Sequence, residues 1–351
     1  MTALASVAVF LAASAAGAAR VEYRCDERMD LLGVVQALAG RRSSRAPLPG
    51  AFRSLESRFA AFRDHPAVLA YERTARREEG QEPYALVMAA LGPPPALAWS
   101  ADRVLLSRDF VARAGGDAEL DAFVEALRDF ARRSGVLDWL RARGAECRAA
   151  RRLALREAAG RDPLAEIESY LGLRLDATVL MPLSLVYAPS RYDSFIFPYP
   201  YSGDGRPVKG PFRVFSVLEP RWEAGAPRFG LDRPFGTDAV PELLYLAVEP
   251  AYARHRAAFE ARARLQESLG SECSSTWQDC AAAAVVRALN ERLAERHGER
   301  LEPESGPAAR LSRRLAAALR DDYEPGRAAG RYRGIDDFWP RLIEAFDAPR
   351  R

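Results

Sequence analysis

Four side chains that can exchange protons recur at helical spacing between residues 240 and 252. Glu242, Tyr245, Glu249 and Tyr252 follow one another at intervals of three, four and three positions. On an α-helix these intervals place all four side chains on one face. A carboxylate and a phenol on such a face could act as acid and base on a bound substrate. The pattern predicts either the polar wall of a cleft or an ordinary half-buried helix face, and the sequence favours the second.

The helix that carries this face must begin close to Pro241. A proline fits only the first turn of an α-helix, where its missing N–H has no intrahelical partner to lose. We therefore expect the helix to start just before Pro241, with Thr237 or Asp238 as its N-cap residue. The helical pattern extends to residue 268, and Pro250 predicts a break within it.

Most of the remaining chain has a helical pattern, with two β-rich runs in its second half. The runs at 177–187 and 211–218 are separated by an aromatic, proline-rich loop at 192–201. This order predicts an α+β fold of predominantly helical content around a small mixed sheet. Further elements are expected as a strand at 20–24, an amphipathic helix at 26–39 ended by Gly40, and helices at 52–62, 66–76, 83–91, within 107–171 (clearest at 118–133), 276–297, 306–321 and 335–346.

Length and composition predict a globular chain of one or two domains. The 351 residues are 48% hydrophobic and 28% charged, which allows a substantial core. We expect a mainly helical part at 20–172 and a part at 173–351 in which the sheet precedes further helices, or one continuous domain.

The first 19 residues form an uncharged apolar run that ends in small residues. This predicts a secretory signal peptide cut near Ala18 or Ala19. A misplaced start codon or a short membrane anchor is the alternative, because the run has no positive charge before it. No second candidate span appears, so we expect a secreted or periplasmic protein.

Charge and motif content argue against several classes of function. The formal net charge is +3, almost all basic residues are arginine, and Lys209 is the single lysine. No basic block stands apart from neighbouring acids along the chain, so a nucleic-acid partner is not expected. The sequence also contains no G-x-S-x-G motif and no phosphate-binding glycine loop, which argues against a serine hydrolase and a nucleotide-binding site.

The four cysteines, Cys25, Cys147, Cys273 and Cys280, allow three disulfide pairings. Cys273 and Cys280 could close a small loop, provided that they do not lie on one continuous helix, where they would be about 10 Å apart. Buried free thiols are the alternative. No C-x-x-C pair is present, so the cysteines do not predict a zinc site.

The three histidines are widely separated in the sequence. His65 lies at a helix start, which predicts a capping or packing role. His255 follows an arginine and is expected to be exposed, and His297 precedes a glycine at a helix end. A metal centre built from all three is the alternative, and it requires the fold to bring them together.

Four segments spread over most of the mature chain resemble the motifs of one family. They are D-E-R-M-D-L-L-G-V-V-Q-A-L-A-G from Asp26, F-A-A-F-R-D-H-P-A-V from Phe59, P-E-L-L-Y-L-A-V-E-P from Pro241 and A-A-V-V-R-A from Ala283. The corresponding family motifs are D-x-R-x-E-L with L-A-G, Y-F-x-x-Y-K-x-H-P-x-V, H-E-F-x-H-S-F-V-N-P and E-x-L-V-R-A. The chain thus resembles a family of secreted bacterial proteins of unknown function whose intact members look like zincin-type zinc metallopeptidases.

The resemblance implies zincin-like helices around the sheet and a metal site that has been lost. Pro241 and Tyr245 stand where the two histidines of H-E-x-x-H would be, and Ala283 replaces a glutamate suggested as the third ligand. Glu242 keeps the position of the general base, but a base without metal-activated water has little to act on. Zinc and standard peptidase activity are therefore expected to be absent.

The resemblance also implies a place for a ligand. In zincins the edge strand of the sheet, just before the metal helix, pairs with an extended peptide, so the loop at 192–201 would border the former cleft. Its aromatic side chains would then contact that peptide, or else pack over the sheet as a lid.

Three hypotheses about function follow. The leading one is an inactive metallopeptidase-like scaffold that binds a peptide or protein. The second is a hydrolase with unconventional metal ligands, or with Glu242 and Tyr245 in acid–base roles. The third is a structural protein of the cell envelope.

Overall fold

The computed structural model describes residues 20–40, 54–77, 83–100, 103, 106, 108–184, 186, 194–197, 211–218, 221–223, 226–237, 239–273, 276–301 and 305–347. These residues form an α+β fold of predominantly helical content, as the sequence predicted. The predicted signal peptide and most of the aromatic loop lie outside the described residues.

Helices make up most of the described chain. A π-helical turn, Leu319–Tyr323, joins two of them, α14 and α15. The helices are α1 (Glu27–Leu38), α2 (Leu55–Arg58), α3 (Pro66–Arg77), α4 (Pro83–Ala89), α5 (Arg108–Arg113), α6 (Asp117–Arg133), α7 (Val136–Arg141), α8 (Gly144–Ala158), α9 (Pro163–Leu171), α10 (Ala239–Arg254), α11 (Arg256–Glu260), α12 (Leu265–Leu269), α13 (Trp277–Arg296), α14 (Pro307–Ala318), α15 (Glu324–Ala328) and α16 (Ile335–Glu344).

The main sheet is mixed. Its strands are β1 (Val21–Cys25), β2 (Ala177–Leu183), β3 (Ser194–Phe197) and β4 (Phe212–Ser216), in the spatial order β1, β2, β4, β3. The first three of that order are parallel, and β3 runs antiparallel to β4 at the edge. A separate hairpin pairs β5 (Arg221–Glu223) with β6 (Ala226–Arg228). Because β1 pairs with β2, residues from both halves of the chain share one sheet.

Helix α1 occupies the centre of the N-terminal helices. It was expected to be amphipathic, but all of its residues from Arg28 to Leu38 are buried. Its polar side chains therefore form internal hydrogen bonds. Asp26 caps the helix by accepting from the Arg28 N–H at 3.0 Å, and Asp30 accepts from the Ser184 hydroxyl at 2.7 Å.

Two expectations about local structure were wrong. Helix α10 does not break at Pro250 but continues to Arg254, and the interruption falls at His255. The buried neighbours of this proline, Val248, Ala251 and Tyr252, hold the helix against the core, which offsets the cost of the missing hydrogen bond. The aromatic loop at 192–201 was also assigned wrongly in its middle, because residues 194–197 form β3.

All four cysteines are paired, and the described chain contains no free cysteine. Cys25 pairs with Cys147, and Cys273 pairs with Cys280. The short loop can close because α13 begins only at Trp277, so the second pair does not lie on one helix. Disulfides are typical of oxidising compartments outside the cytoplasm. No helix in the described part is both long and apolar enough to cross a membrane.

Candidate functional site

The helix with the predicted acid–base face is held in place from several sides. Helix α10 begins at Ala239 with Pro241 in its first turn, as expected. Thr237 uses its hydroxyl to donate to the Pro234 carbonyl at 2.6 Å, and Asp238 lies outside the described residues. The apolar face of α10 is fully buried and packs against α9, α13, β3 and β4. The remaining face carries Glu242, Tyr245, Glu249 and Tyr252.

Glu249 is a carboxyl group in the core. Only 2% of its surface is exposed, and Gln278 of α13 donates to its Oε2 atom at 3.2 Å. Burial raises the pKa of Glu249 from 4.5 to about 7, and the nearby negative charge of Asp279 adds to the rise. At neutral pH a large fraction of this group is therefore protonated, so it does not behave as a permanent anion.

The two tyrosines of this face stay protonated at neutral pH. The pKa of Tyr245 is raised to about 12, mainly by burial and also by the negative charges of Glu242, Glu249 and Asp279, against the opposing positive charge of Arg287. Tyr252 is fully buried and donates to Glu260 Oε1 at 2.7 Å. The face is thus more deeply buried than the wall of an open cleft, with Glu242 and Tyr245 as its half-buried members.

Ala283 belongs to the face of α13 that meets this part of α10. It lies one helical turn from Asp279 and one turn from Arg287, on the same side of the helix. Both charged residues act electrostatically on Tyr245. The fold therefore brings the part of α13 around Ala283 into the neighbourhood of Tyr245, although 38 residues of sequence separate the two.

The residues at these three positions do not fit a zinc ion. Proline and alanine offer no side-chain donor, and the Tyr245 phenol is protonated far above neutral pH. Within the described residues no group of three or more His, Cys, Asp or Glu side chains could hold a metal ion. We derive no step through a metal, and the loss of zinc stays a prediction.

The three histidines have separate roles. His65 is buried, its Nδ1 accepts from the Ala67 N–H at 3.2 Å at the start of α3, and its Nε2 donates to Asp129 at 3.1 Å. This is the predicted capping role. His255 is half-buried at the junction of α10 and α11, whereas the sequence predicted exposure. His297 caps the C-terminus of α13, as its place before a glycine predicted.

A cavity of about 620 Å³ lies at the other end of α13, where the sequence predicted no site. No local motif marks it, because its walls come from three separate parts of the chain. One wall includes Tyr323 of the π-helical turn, and such turns are often found at functional sites. The lining residues are Ala165, Glu166, Ser169 and Tyr170 of α9, Leu293, Arg296 and His297 at the end of α13, and Tyr323, Glu324, Arg327 and Ala328.

Opposite charges lie close together in the walls of this cavity. Arg292, which is buried behind it, binds Glu324 with two hydrogen bonds of 3.0 and 3.1 Å. Tyr170 donates to the same carboxylate at 3.1 Å. Glu166 lies 3.1 Å from His297 Nε2. Because each carboxylate of the lining has a basic side chain beside it, the cavity is suited to a polar ligand more than to acid catalysis.

No family model, curated protein or solved structure matches this chain. The resemblance found in four segments therefore remains a prediction. Within the described residues, the α10–α13 contact and the edge strand β3 beside it carry the predicted functional residues, and the cavity lies apart from them.

Proposed function

We propose that this chain is a secreted or periplasmic protein with a metallopeptidase-like framework, and that it binds a peptide or protein segment without cleaving it. The observation that carries the proposal is the α10–α13 contact. Helices α10 and α13 carry the three positions at which the resemblance implies metal ligands, and these positions hold Pro241, Tyr245 and Ala283, which are not zinc ligands. Glu242 on α10 keeps the position of the general base. The two disulfides support a compartment outside the cytoplasm.

The proposed binding surface is the outer edge of β3. Among the described strands β3 has a neighbour, β4, on one side only, so its other edge can accept an extended segment. Helix α10, which carries the half-buried Glu242 and Tyr245, contacts both β3 and β4, and this supports a ligand that reaches from the edge of β3 to that helix. Pairing of backbone groups would supply affinity, and the side chains of α10 would supply selectivity.

A hydrolase is the second candidate, and one observation favours it. The pKa of Glu249, about 7, suits a general acid or base near neutral pH. However, this carboxyl is almost completely buried and hydrogen-bonded to Gln278, so a substrate cannot reach it without a change of structure. Binding without catalysis is therefore the better-supported function.

Peptide binding can be tested by hydrogen exchange. Peptides selected from a displayed library against the full chain should slow amide exchange at 194–197, because the outward N–H groups of β3 would become hydrogen-bonded. The outer edge of β1, at 21–25, is the internal control and should be unchanged. Selected peptides that protect other surfaces and leave 194–197 unchanged would contradict the proposed site, and peptide cleavage would contradict the absence of catalysis.

The second test rebuilds the metal site. The triple variant Pro241→His, Tyr245→His and Ala283→Glu should bind one equivalent of zinc by elemental analysis. Zinc should also raise its thermal stability, by about 2.7 kcal/mol at a hundredfold excess over Kd. The expectation rests on two observations: positions 241 and 245 lie one turn apart on α10, and position 283 lies on α13, which packs against α10.

The control for this experiment changes the same positions to residues without strong metal donors, Pro241→Ala, Tyr245→Ala and Ala283→Ser. Neither this variant nor the unmodified chain should bind zinc. If the histidine variant folds and binds no zinc, the three positions do not converge as a zincin site would require. Stoichiometric zinc in the unmodified chain would refute the metal-free proposal.

A further inference from the structure

Helix α8 presents a rigid surface on a side of the molecule distinct from the proposed peptide site. Its buried face consists mainly of Ala150, Ala154 and Ala158 and packs against β1, β2 and β6. The Cys25–Cys147 disulfide ties its first turn to the end of β1. One turn later, Arg151 Nε donates to the Tyr23 carbonyl of the same strand at 3.2 Å.

The opposite face of α8 carries a row of exposed arginines. Arg148, Arg152 and Arg156 are exposed and follow one another at intervals of four, so their side chains project in line. Within the described part of the chain, none of the three forms an ion pair, a hydrogen bond or a contact with an aromatic ring. Like charges at this spacing destabilise a helix. A contribution to the stability of the fold therefore does not explain why three arginines occupy these positions.

Arginines elsewhere on the surface provide the contrast. Arg132 and Arg133 of α6 lie within 4.0 Å of the carboxylate of Asp129, and Arg341 of α16 lies 2.8 Å from Glu344. These side chains neutralise acids on their own helices. The row on α8 (Arg148, Arg152 and Arg156) is therefore a local excess of positive charge. The net charge of the whole chain is nearly balanced and gives no indication of it.

An apolar side chain stands within the row. Leu155 is 49% exposed, and with Leu69 it is one of two large hydrophobic residues exposed in the described part. It lies next to Arg156 and one turn from Arg151 and Arg152. One guanidinium group can donate two parallel hydrogen bonds to the oxygens of one phosphate. A leucine among basic side chains can enter the boundary between headgroups and acyl chains.

We propose that the outer face of α8 docks onto the phosphate headgroups of an anionic lipid surface. The combination of features favours lipid over other anionic partners. A nucleic acid would offer Leu155 no apolar environment, and an interface with an acidic protein would need a larger apolar centre than one leucine. This docking would hold the protein at a membrane surface and leave the sheet edge at β3 free.

The test uses the full chain and vesicles of phosphatidylcholine, with or without phosphatidylglycerol. The chain should sediment with the anionic vesicles, should not sediment with pure phosphatidylcholine, and should dissociate when salt rises from about 0.1 M to about 1 M. The variant Arg148→Gln, Arg152→Gln and Arg156→Gln should bind about a hundredfold more weakly, because one basic side chain near an anionic surface contributes about fivefold. Leu155→Ser should weaken binding while the net charge is unchanged.

The matched control removes three paired arginines, Arg132→Gln, Arg133→Gln and Arg341→Gln. It lowers the net charge equally and should keep binding within a few-fold of the unmodified chain. The N-terminal apolar run is present in every variant. Binding that survives in the α8 triple variant would therefore come from another part of the chain, and it would overturn the proposal. Equal weakening in both triple variants, no binding of the unmodified chain, or binding to duplex DNA in preference to vesicles would overturn it as well.

Discussion

Replacing Cys25 and Cys147 with alanine should lower the free energy of unfolding by about 5 kcal/mol. The two residues are 122 positions apart in sequence, and a crosslink lowers the conformational entropy of the unfolded chain by an amount that grows with the length of the loop it closes. The bridge also joins β1, a sheet edge, to α8. Urea unfolding of the variant and the unmodified chain, both fully oxidised, measures the difference.

The second disulfide is the matched control. Cys273 and Cys280 are seven positions apart, so the Cys273→Ala and Cys280→Ala variant should lose only about 2 kcal/mol by the same reasoning. Two losses of equal size would show that loop length does not determine the contribution of these bridges. In that case strain or local packing would have to explain their effect.

Replacing Glu249 with glutamine should stabilise the protein above neutral pH and have little effect in acid. The pKa of Glu249 in the folded chain is about 7, against 4.5 for the ordinary carboxyl. Below pH 4.5 the group is protonated in both states and carries no penalty. Between pH 4.5 and pH 7 the unfolded chain releases the proton while the folded chain keeps it, so the folded state loses about 3 kcal/mol of stability by pH 7. Glutamine has no charge to bury and should avoid that loss.

The measurement is the free energy of unfolding of both proteins at several pH values from 4 to 8.5. The difference should be near zero at the acid end, grow between pH 4.5 and 7, and level off above pH 7. Glu267→Gln, which removes an exposed carboxylate of α12, is the control and should leave the pH dependence unchanged. A constant difference between the Glu249 variant and the unmodified chain would mean that its carboxyl does not titrate in the predicted range.

The outcome at Glu249 also bears on the choice between binding and catalysis. A carboxyl that titrates near pH 7 in the core is compatible with a hydrolase only if the structure opens to admit a substrate. If the group titrates as predicted and the chain cleaves no peptide, its role is structural, and the half-buried Glu242 and Tyr245 of α10 remain the candidates for ligand contact.

Local sequence signals predicted most individual elements of the fold. The cap at Asp26 and the glycine at residue 40 bracket α1, and the apolar spacing in 118–133 matches α6 within one residue. Pro241 marked the start of α10 because its missing N–H is harmless only in the first turn. These features depend on neighbours within a few positions, and such neighbours are visible in a sequence.

Other features depend on which distant segments meet. Pro250 stays within α10 because the core holds the residues around it, and residues 194–197 form a strand because β4 offers them a partner. The cavity has walls from three parts of the chain, and the depth at which Glu249 is buried depends on α13. Pairwise contacts of this kind involve residues far apart in sequence, so no local pattern encodes them.

By itself, the sequence of this protein determined the fold class, the start of α10 and the absence of metal-binding side chains at positions 241, 245 and 283. Those properties follow from residue type and short-range spacing. Only the tertiary structure decided that α10 and α13 pack together, how the cysteines pair, and that Arg148, Arg152 and Arg156 of α8 have no acidic partner among the described residues. The physical reason is that helix packing, disulfide pairing and local charge balance depend on which distant residues become neighbours, and this is set only when the chain folds.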